Sequence, residues 1–220
     1  MPGFRSRAFS PAEPDSSAPI PSPLSETSVP ADPLELFRTW FARARAAVEE
    51  PEAMTLATAD AAGRPSARMV LLRGVDARGF AFFTSYESRK GQELDANPRA
   101  ALVLYWRPLQ RQVRIEGTVA RVPAAESDAY FDTRPEGSRL SAAASPQSTV
   151  IASRDVLEQR VRELAKVAAH GPIARPPYWG GYRVHPETIE FWQMRADRLH
   201  DRVRYRSLPD GGWVIERLAP

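Results

Sequence analysis

From residue 32 onward, apolar positions first recur with helical spacing and then switch to alternation. Phe37, Trp40, Phe41, Ala44 and Val48 fall on one face of a helix. Asp32 supplies an N-cap, Pro33 suits the first helical position, and Glu35 completes a box-like start. Short runs rich in apolar, β-branched and aromatic residues follow: MTLATA (54–59), SARMVLL (66–72) and GFAFFTS (79–85), separated by the turn clusters DAAGRP and DARG. ESRKGQELDANP reads as a short helix stopped at Asn97-Pro98. AALVLYW and RQVRIEGTVARV read as long strands joined by RPLQ. PAAESDAYFDTRP is a helix with Pro123 at its start. SRDVLEQRVRELAKVAA is another, capped by Ser153, with Leu157, Val161, Leu164 and Ala168 on one face. After ARPPYWGG come the strands YRVHP and TIEFWQM, an arginine-rich strand, and GWVIERL, the last two joined by LPDGG. Roughly eight strands in hairpin order predict an α+β protein, mainly β: an antiparallel barrel with peripheral helices.

Composition adds a boundary. Residues 1–31 hold Pro2, Pro11, Pro14, Pro19, Pro21, Pro23 and Pro30 among Ser and Ala, with few apolar side chains. That stretch reads as a disordered tail, and 32–220 as one folded domain. The domain's charge is unremarkable: 30 Lys and Arg against 27 Asp and Glu leave a formal net charge of +3, too little to imply nucleic-acid binding by itself. The chain has no cysteine, which excludes disulfides, thiolate metal sites and thiol catalysis and fits a reducing cytoplasm. The start MPGFRSRAFS has no apolar h-region, and no apolar run approaches a membrane span, so neither a secretory signal nor a membrane partner is expected.

The familiar catalytic devices are missing. The sequence has no G-x-G-x-x-G after a strand, no P-loop and no G-x-S-x-G. His170, His185 and His200 lack ligand spacing, so no metal is expected. Reactivity, if present, falls to a cofactor. What recurs instead is arginine at strand ends and turns. Arg198, His200, Arg202, Arg204 and Arg206 alternate, and on a strand they would share one face about 7 Å apart. Such neighbours repel unless water screens them or an anion sits among them. Arg204 and Arg206 read as a solvated outer face. Arg89 and Lys90 open a helix against its dipole, which favours a bound anion unless Glu87 compensates. Tyr130 beside Phe131 reads as core, and PEGS as a turn. Pattern alone therefore reaches an antiparallel barrel that binds an anion.

Several separated motifs go further: ARMVLLRGVDARGFAFFTSYESRKGQELDANPRAAL, YWRPLQRQVRIEGTV, AYFDTRPEGSRL, SPQS, PPYWGGYRVHPETIEFWQ, RLHDRVRY and GWVIERLAP. Together they span about residues 32–220 and resemble the pyridoxine/pyridoxamine 5′-phosphate oxidase family. The resemblance implies a split β-barrel homodimer with FMN at the subunit interface. It implies oxidation of pyridoxamine or pyridoxine 5′-phosphate to pyridoxal 5′-phosphate, hydride passing from substrate C4′ to flavin N5 and O2 becoming H2O2. Carried over, the FMN contacts are Arg68, Met69, Val70, Leu71, Leu72, Arg73, Phe83, Thr84, Arg89, Lys90, Gln112, Gln147, Ser148, Trp192 and Arg202. Arg73, Tyr130, Arg134 and Ser138 would hold the substrate phosphate, while Arg198, Leu199 and His200 would meet the pyridine ring, with Arg198 and His200 catalytic.

Departures from the family pattern gather at the substrate end. Arg73 stands where Lys is usual, and Ser141 and Met194 where Gly is usual. They raise two alternatives: the related FMN oxidase of phenazine biosynthesis, and a non-catalytic flavin-binding protein. The retained Tyr130, Arg134 and Ser138 speak against the first, and the retained Arg198-Leu199-His200 against the second.

Overall fold

Asp32 starts the first helix as its residue type predicts. Its Oδ1 accepts the Leu34 amide at 2.9 Å, and Pro33 occupies a position whose N–H would have no helical partner. The resulting helix α1 (Pro33–Ala47) turns Phe37, Trp40 and Ala44 inward. Trp40 meets Phe191 edge-on at 5.2 Å between centroids, and Phe37 meets Phe80 at 5.0 Å. The structure, a computed structural model, describes residues 22–169, 171 and 173–220.

Among the described residues the strands are β1 (Ala53–Ala59), β2 (Pro65–Leu71), β3 (Gly74–Asp76), β4 (Gly79–Ser85), β5 (Arg99–Trp106), β6 (Arg111–Arg121), β7 (Trp179–Gln193), β8 (Asp201–Ser207) and β9 (Trp213–Arg217). Helix α2 (Arg89–Ala96) lies between β4 and β5 in the chain. Helices α3 (Ala124–Asp132), α4 (Glu136–Ala144) and α5 (Arg154–Ala168) lie between β6 and β7. The hydrogen-bonded order is β2-β1-β5-β6-β7-β4-β3, with β8 added to β7 and β9 to β8, all antiparallel. One edge of β7 pairs with β6. The other pairs first with β4 and then, from residue 188, with β8. A single 15-residue strand thus serves two halves of the sheet, giving the expected split barrel with peripheral helices. Val113 and Ile115, Ile189 and Phe191, and Val203 and Tyr205 alternate inward on β6, β7 and β8. Burying each such side chain contributes about 1.5–3 kcal/mol. No helix among the described residues is long and apolar enough to cross a membrane.

Four details depart from the pattern-based reading. First, β7 runs unbroken through Pro186, where the sequence suggests two strands. Pro186 faces Gly117 at a register shift in β6, a place where a missing ladder donor is tolerated. A Cβ on Gly117 would lie 2.0 Å from the His185 carbonyl oxygen, so this approach requires glycine. Second, PEGS opens helix α4 rather than forming a simple turn, because the helix-prone run SRLSAAA continues it.

Third, the five-residue cationic face is a three-residue one. Strand β8 begins at Asp201, and Arg198 closes a 3-10 turn (Ala196–Arg198) in which Asp197 and Arg198 have φ of 54° and 60°. Arg202, Arg204 and Arg206 do alternate together, but carboxylates of adjacent strands neutralise them: Glu190 for Arg202, and Glu216 for Arg204 and Arg206. Fourth, residues 22–31 lie on the domain, although composition assigns them to the tail. Leu24 is buried, Gln193 Nε2 donates to Ser22 O at 2.8 Å, and Tyr205 Oη donates to Pro30 O at 2.8 Å. Backbone oxygens with side-chain partners hold this stretch, a device that leaves no apolar signature. Residues 1–21, the rest of that tail, lie outside the described residues.

Candidate active site

A cavity of about 640 Å³ opens between β2, the end of β4, the start of α2 and the α3–α4 corner. Its wall brings together Arg68, Met69, Val70, Leu71, Arg73, Phe83, Thr84, Lys90, Tyr130, Arg134, Ser138 and Gln147, all named above from the sequence. Four of these are cations, and no Asp or Glu is among the described residues of the wall. An anion is the complement of such a surface.

Lys90 is the deepest of the four. Ser88 caps α2 by accepting the Gly91 amide at 3.3 Å, and that cap sets Lys90 inward at 8% exposure. Gly91 itself is needed, since a Cβ there would lie 2.0 Å from the Tyr86 carbonyl oxygen. The ammonium donates to Gln147 Oε1 (3.0 Å), Thr84 Oγ1 (3.2 Å) and Ser88 Oγ (3.3 Å), all neutral acceptors. Burial, and then the Arg68 charge, lower its pKa to about 8. A dianion placed here would reverse that shift.

Arg68 is aimed by a carboxylate behind the wall. Its Nη2 donates to Glu93 Oε2 at 3.1 Å, and its Nη1 to Thr58 Oγ1 at 2.5 Å. Glu93 also accepts from Thr58, Ser66 and Arg89. Burial alone would raise its pKa, but the bonds from Ser66, Thr58, Arg89 and Arg68 prevail and hold it at about 2. Glu93 is therefore a fixed negative charge that spaces two arginines.

The opposite wall is aromatic. Phe83 and Tyr130 stack at 4.0 Å, and Tyr130 lies nearly parallel to Trp179, 6.3 Å away. Tyr130 is thus part of the cavity wall rather than of the core. Arg134 lies over Trp179 at 4.6 Å, and its Nη1 is buried without a partner among the described residues. Burial lowers the Arg134 pKa, and the Arg73 charge adds to that effect. A buried guanidinium N–H without an acceptor is costly unless a ligand oxygen accepts from it. Arg73 is looser, 3.7 Å from Glu52. The donor set suits two phosphates and a flat ring, so the residues present fit FMN and a phosphorylated substrate.

The remaining sequence-chosen residues lie elsewhere. Leu72 is in the core at 5% exposure. Arg89 pairs with Glu93 and borders a separate depression with Asp60 and Arg64. Ser148 sits beside Gln147 with φ of 71° and is not part of the wall. Gln112, Trp192 and Arg202 form a row across β6, β7 and β8, and Trp192 meets the His200 ring at 4.7 Å. His200 Nδ1 accepts the Arg195 amide at 3.1 Å. Arg202 holds Glu190 with Nε (2.7 Å) and Nη2 (3.1 Å), and its Nη1 donates to Ala219 O (2.8 Å). None of this row, nor Arg198, Leu199 or His200, lines the cavity. Apart from Leu72, Arg89 and Ser148, the chosen residues thus form two groups. Of the departures, Arg73 lines the cavity, whereas Ser141 lies within α4 and donates back to Gly137 O at 2.8 Å. Trp179 and Glu93 escaped the sequence reading. The aromatic before Gly180-Gly181 and the Arg89–Glu93 spacing of four were their signals.

The family model described as "Pyridoxamine 5'-phosphate oxidase" matches residues 41–168. The one described as "Pyridoxine 5'-phosphate oxidase C-terminal dimerisation region" matches residues 179–220. The chain is 58% identical over 198 residues to a pyridoxine/pyridoxamine 5′-phosphate oxidase of Cupriavidus taiwanensis, covering 90% of this chain and 93% of the relative. It is 59% identical over 202 residues to the protein of the same description from Bordetella petrii, covering 90% and 94%. Among solved structures, PhzG from Burkholderia lata 383, in complex with tetrahydrophenazine-1-carboxylic acid, superposes with a TM-score of 0.84 at 36% identity, over 89% of this chain and 96% of that one. With both family regions matched in order along one chain, the protein belongs to the pyridoxine/pyridoxamine 5′-phosphate oxidase family.

Proposed function

We propose that this protein is an FMN-dependent oxidase that converts pyridoxamine or pyridoxine 5′-phosphate to pyridoxal 5′-phosphate, working as a homodimer in the cytoplasm. The observation that carries the reading is Arg134, whose buried Nη1 awaits an acceptor in a cavity walled by four cations. The relatives at 57–59% identity bear the same activity in their names.

The chain's own part is binding and orientation. Lys90 and Arg68 hold the FMN phosphate, with Thr84 and Gln147 fixing the ammonium. Arg134, Arg73, Tyr130 and Ser138 hold the substrate phosphate. Two anchored dianions set the register of two flat rings, and the Phe83–Tyr130–Trp179 stack bounds the space. The chemistry FMN would supply when bound is acceptance of a hydride from the C4′ carbon and passage of the two electrons, with protons from solvent, to O2, giving H2O2. The second group, from Gln112 to His200, reaches the cavity from the partner protomer. Its separation from the cavity in one chain supports that arrangement, as does the dimerisation description of the region at 179–220. Because His200 Nδ1 accepts a backbone N–H, the neutral imidazole carries its proton on Nε2 and offers a donor to substrate.

The test is to purify the protein, record its flavin spectrum, and follow O2 uptake with pyridoxamine 5′-phosphate against a dihydrophenazine carboxylic acid. Uptake with the phosphorylated pyridine alone supports the proposal. Uptake with the dihydrophenazine alone would transfer the chain to the chemistry suggested by its likeness to PhzG.

A further inference from the structure

The turn that presents Arg198 and His200 is strained. Asp197 and Arg198 are successive non-glycine residues with positive φ, a conformation that persists only where its surroundings impose it. One end of the turn is closed by the Arg195 amide on His200 Nδ1. The other restraint is Asp201, 9% exposed, which no comparison and no motif singles out. Its Oδ2 accepts Arg195 Nε at 2.6 Å and the Leu24 amide at 3.1 Å, and its Oδ1 accepts Arg217 Nη1 at 3.1 Å. Arg217 also holds the N-terminal segment directly, through Leu24 O (2.8 Å) and Glu26 Oε2 (2.7 Å). The turn at Arg195, the C-terminal strand at Arg217 and the distant N-terminal segment at Leu24 therefore converge on one carboxylate.

We infer that Asp201 is a positioning residue whose carboxylate ties the Arg195–His200 turn to residues 22–26, so that the placement of Arg198 and His200 depends on the N-terminal segment. The inference rests on the proposed roles of Arg198 and His200. A carboxylate accepting from three directions leaves Arg195 one position, and Arg195 sets where the turn begins. Asparagine at this site would keep the volume but lose the charge and one acceptor, because its amide nitrogen donates.

The test uses the full-length, FMN-loaded protein and two variants, Asp201→Asn and Arg217→Gln. Amide hydrogen exchange is followed at residues 22–26 and 194–200, alongside kcat and KM for pyridoxamine 5′-phosphate and the flavin content. The expected result is faster exchange in both segments together and a kcat/KM lower by about tenfold to a hundredfold, since small misplacements of reacting groups cost that much. Flavin content should stay within about twofold, as the Lys90 and Arg68 cluster is untouched. Asp201→Glu, which restores the charge, should recover part of the rate. Faster exchange at 22–26 with residues 194–200 and the rate unchanged would overturn the inference. Should Asp201→Asn not fold, Arg217→Gln, which loosens the same hub from β9, decides by the same readouts. A wild-type protein inactive on every B6 phosphate would instead defeat the proposed function, while the coupled exchange would still be readable.

Discussion

Lys90 Nζ donates to Gln147 Oε1 at 3.0 Å, 57 residues away in the chain, and the ammonium has only neutral acceptors around it. A buried cation so placed is costly by itself and favourable once an anion arrives. Its lowered pKa of about 8 has two consequences of opposite sign. FMN affinity should fall as pH rises through about 8, because the neutral amine no longer attracts the phosphate. The FMN-free protein should gain stability from this group between about pH 8 and its unfolded value of 10.5, because the unfolded chain then binds more protons. Fluorescence titration of FMN at pH 7 and 9.5, beside urea unfolding of the FMN-free form, checks both signs. Lys90→Met should weaken FMN binding by about 1.5–3 kcal/mol, the worth of a charge-assisted hydrogen bond.

Arg134→Lys keeps the charge but loses the planar fork and the contact with Trp179. KM for the phosphorylated substrate should rise by about tenfold or more, equivalent to 1.4 kcal/mol, with flavin content unchanged. Steady-state kinetics with parallel flavin absorbance separates the two effects. A matching loss of flavin would place Arg134 on the cofactor instead.

Glu93 contributes stability as a carboxylate held at about pKa 2 against an ordinary value of 4.5. That contribution is complete above about pH 4.5 and is lost as pH falls toward 2. Glu93→Gln should lower stability at pH 7 and flatten the acid limb of a urea-midpoint profile. It should also weaken FMN binding, because Arg68 and Arg89 lose their common spacer.

Glu190 clamps Arg202 through two bonds and is itself 7% exposed. Glu190→Ala should cost about 3 kcal/mol, the low end for breaking a buried pair, since Arg202 keeps some solvent access. The shift in urea midpoint reads this directly, and flavin affinity should fall with it as the guanidinium loses its aim.

Met69 on the edge strand β2 and Tyr105 on the internal strand β5 are 62% and 50% exposed, a large apolar presentation for a sheet surface. We propose that the homodimer covers both. Tyr105→Glu should shift the protein toward monomer in light scattering and release FMN in proportion, because the two groups of site residues then separate.

Much of this was legible from the chain. Period-two alternation and turn clusters marked nearly every strand, since a half-buried antiparallel sheet writes its two faces into alternate residues. Asp32-Pro33 announced the first helix because its capping partners lie within the same turn. The resemblance carried by the motifs from Arg68 to Lys90 and from Tyr130 to Ser138 named residues on both walls of the cavity. Local chemistry determined the strands and the first helix, and local sequence could therefore report them, whereas the cavity residues came from the family resemblance, since pattern alone put Tyr130 in the core. What only the tertiary structure decided was which distant groups meet. Arg202 reads as a free cation until β7 places Glu190 beside it, and Asp201 reads as an ordinary strand residue until Leu24 and Arg217 arrive. The same holds for Pro186, which looks like a break until Gly117 pairs with it beside the unpaired Glu187. In each case the deciding partner lies on another strand or at the far end of the chain, and the register that brings it near is a property of the packed sheet.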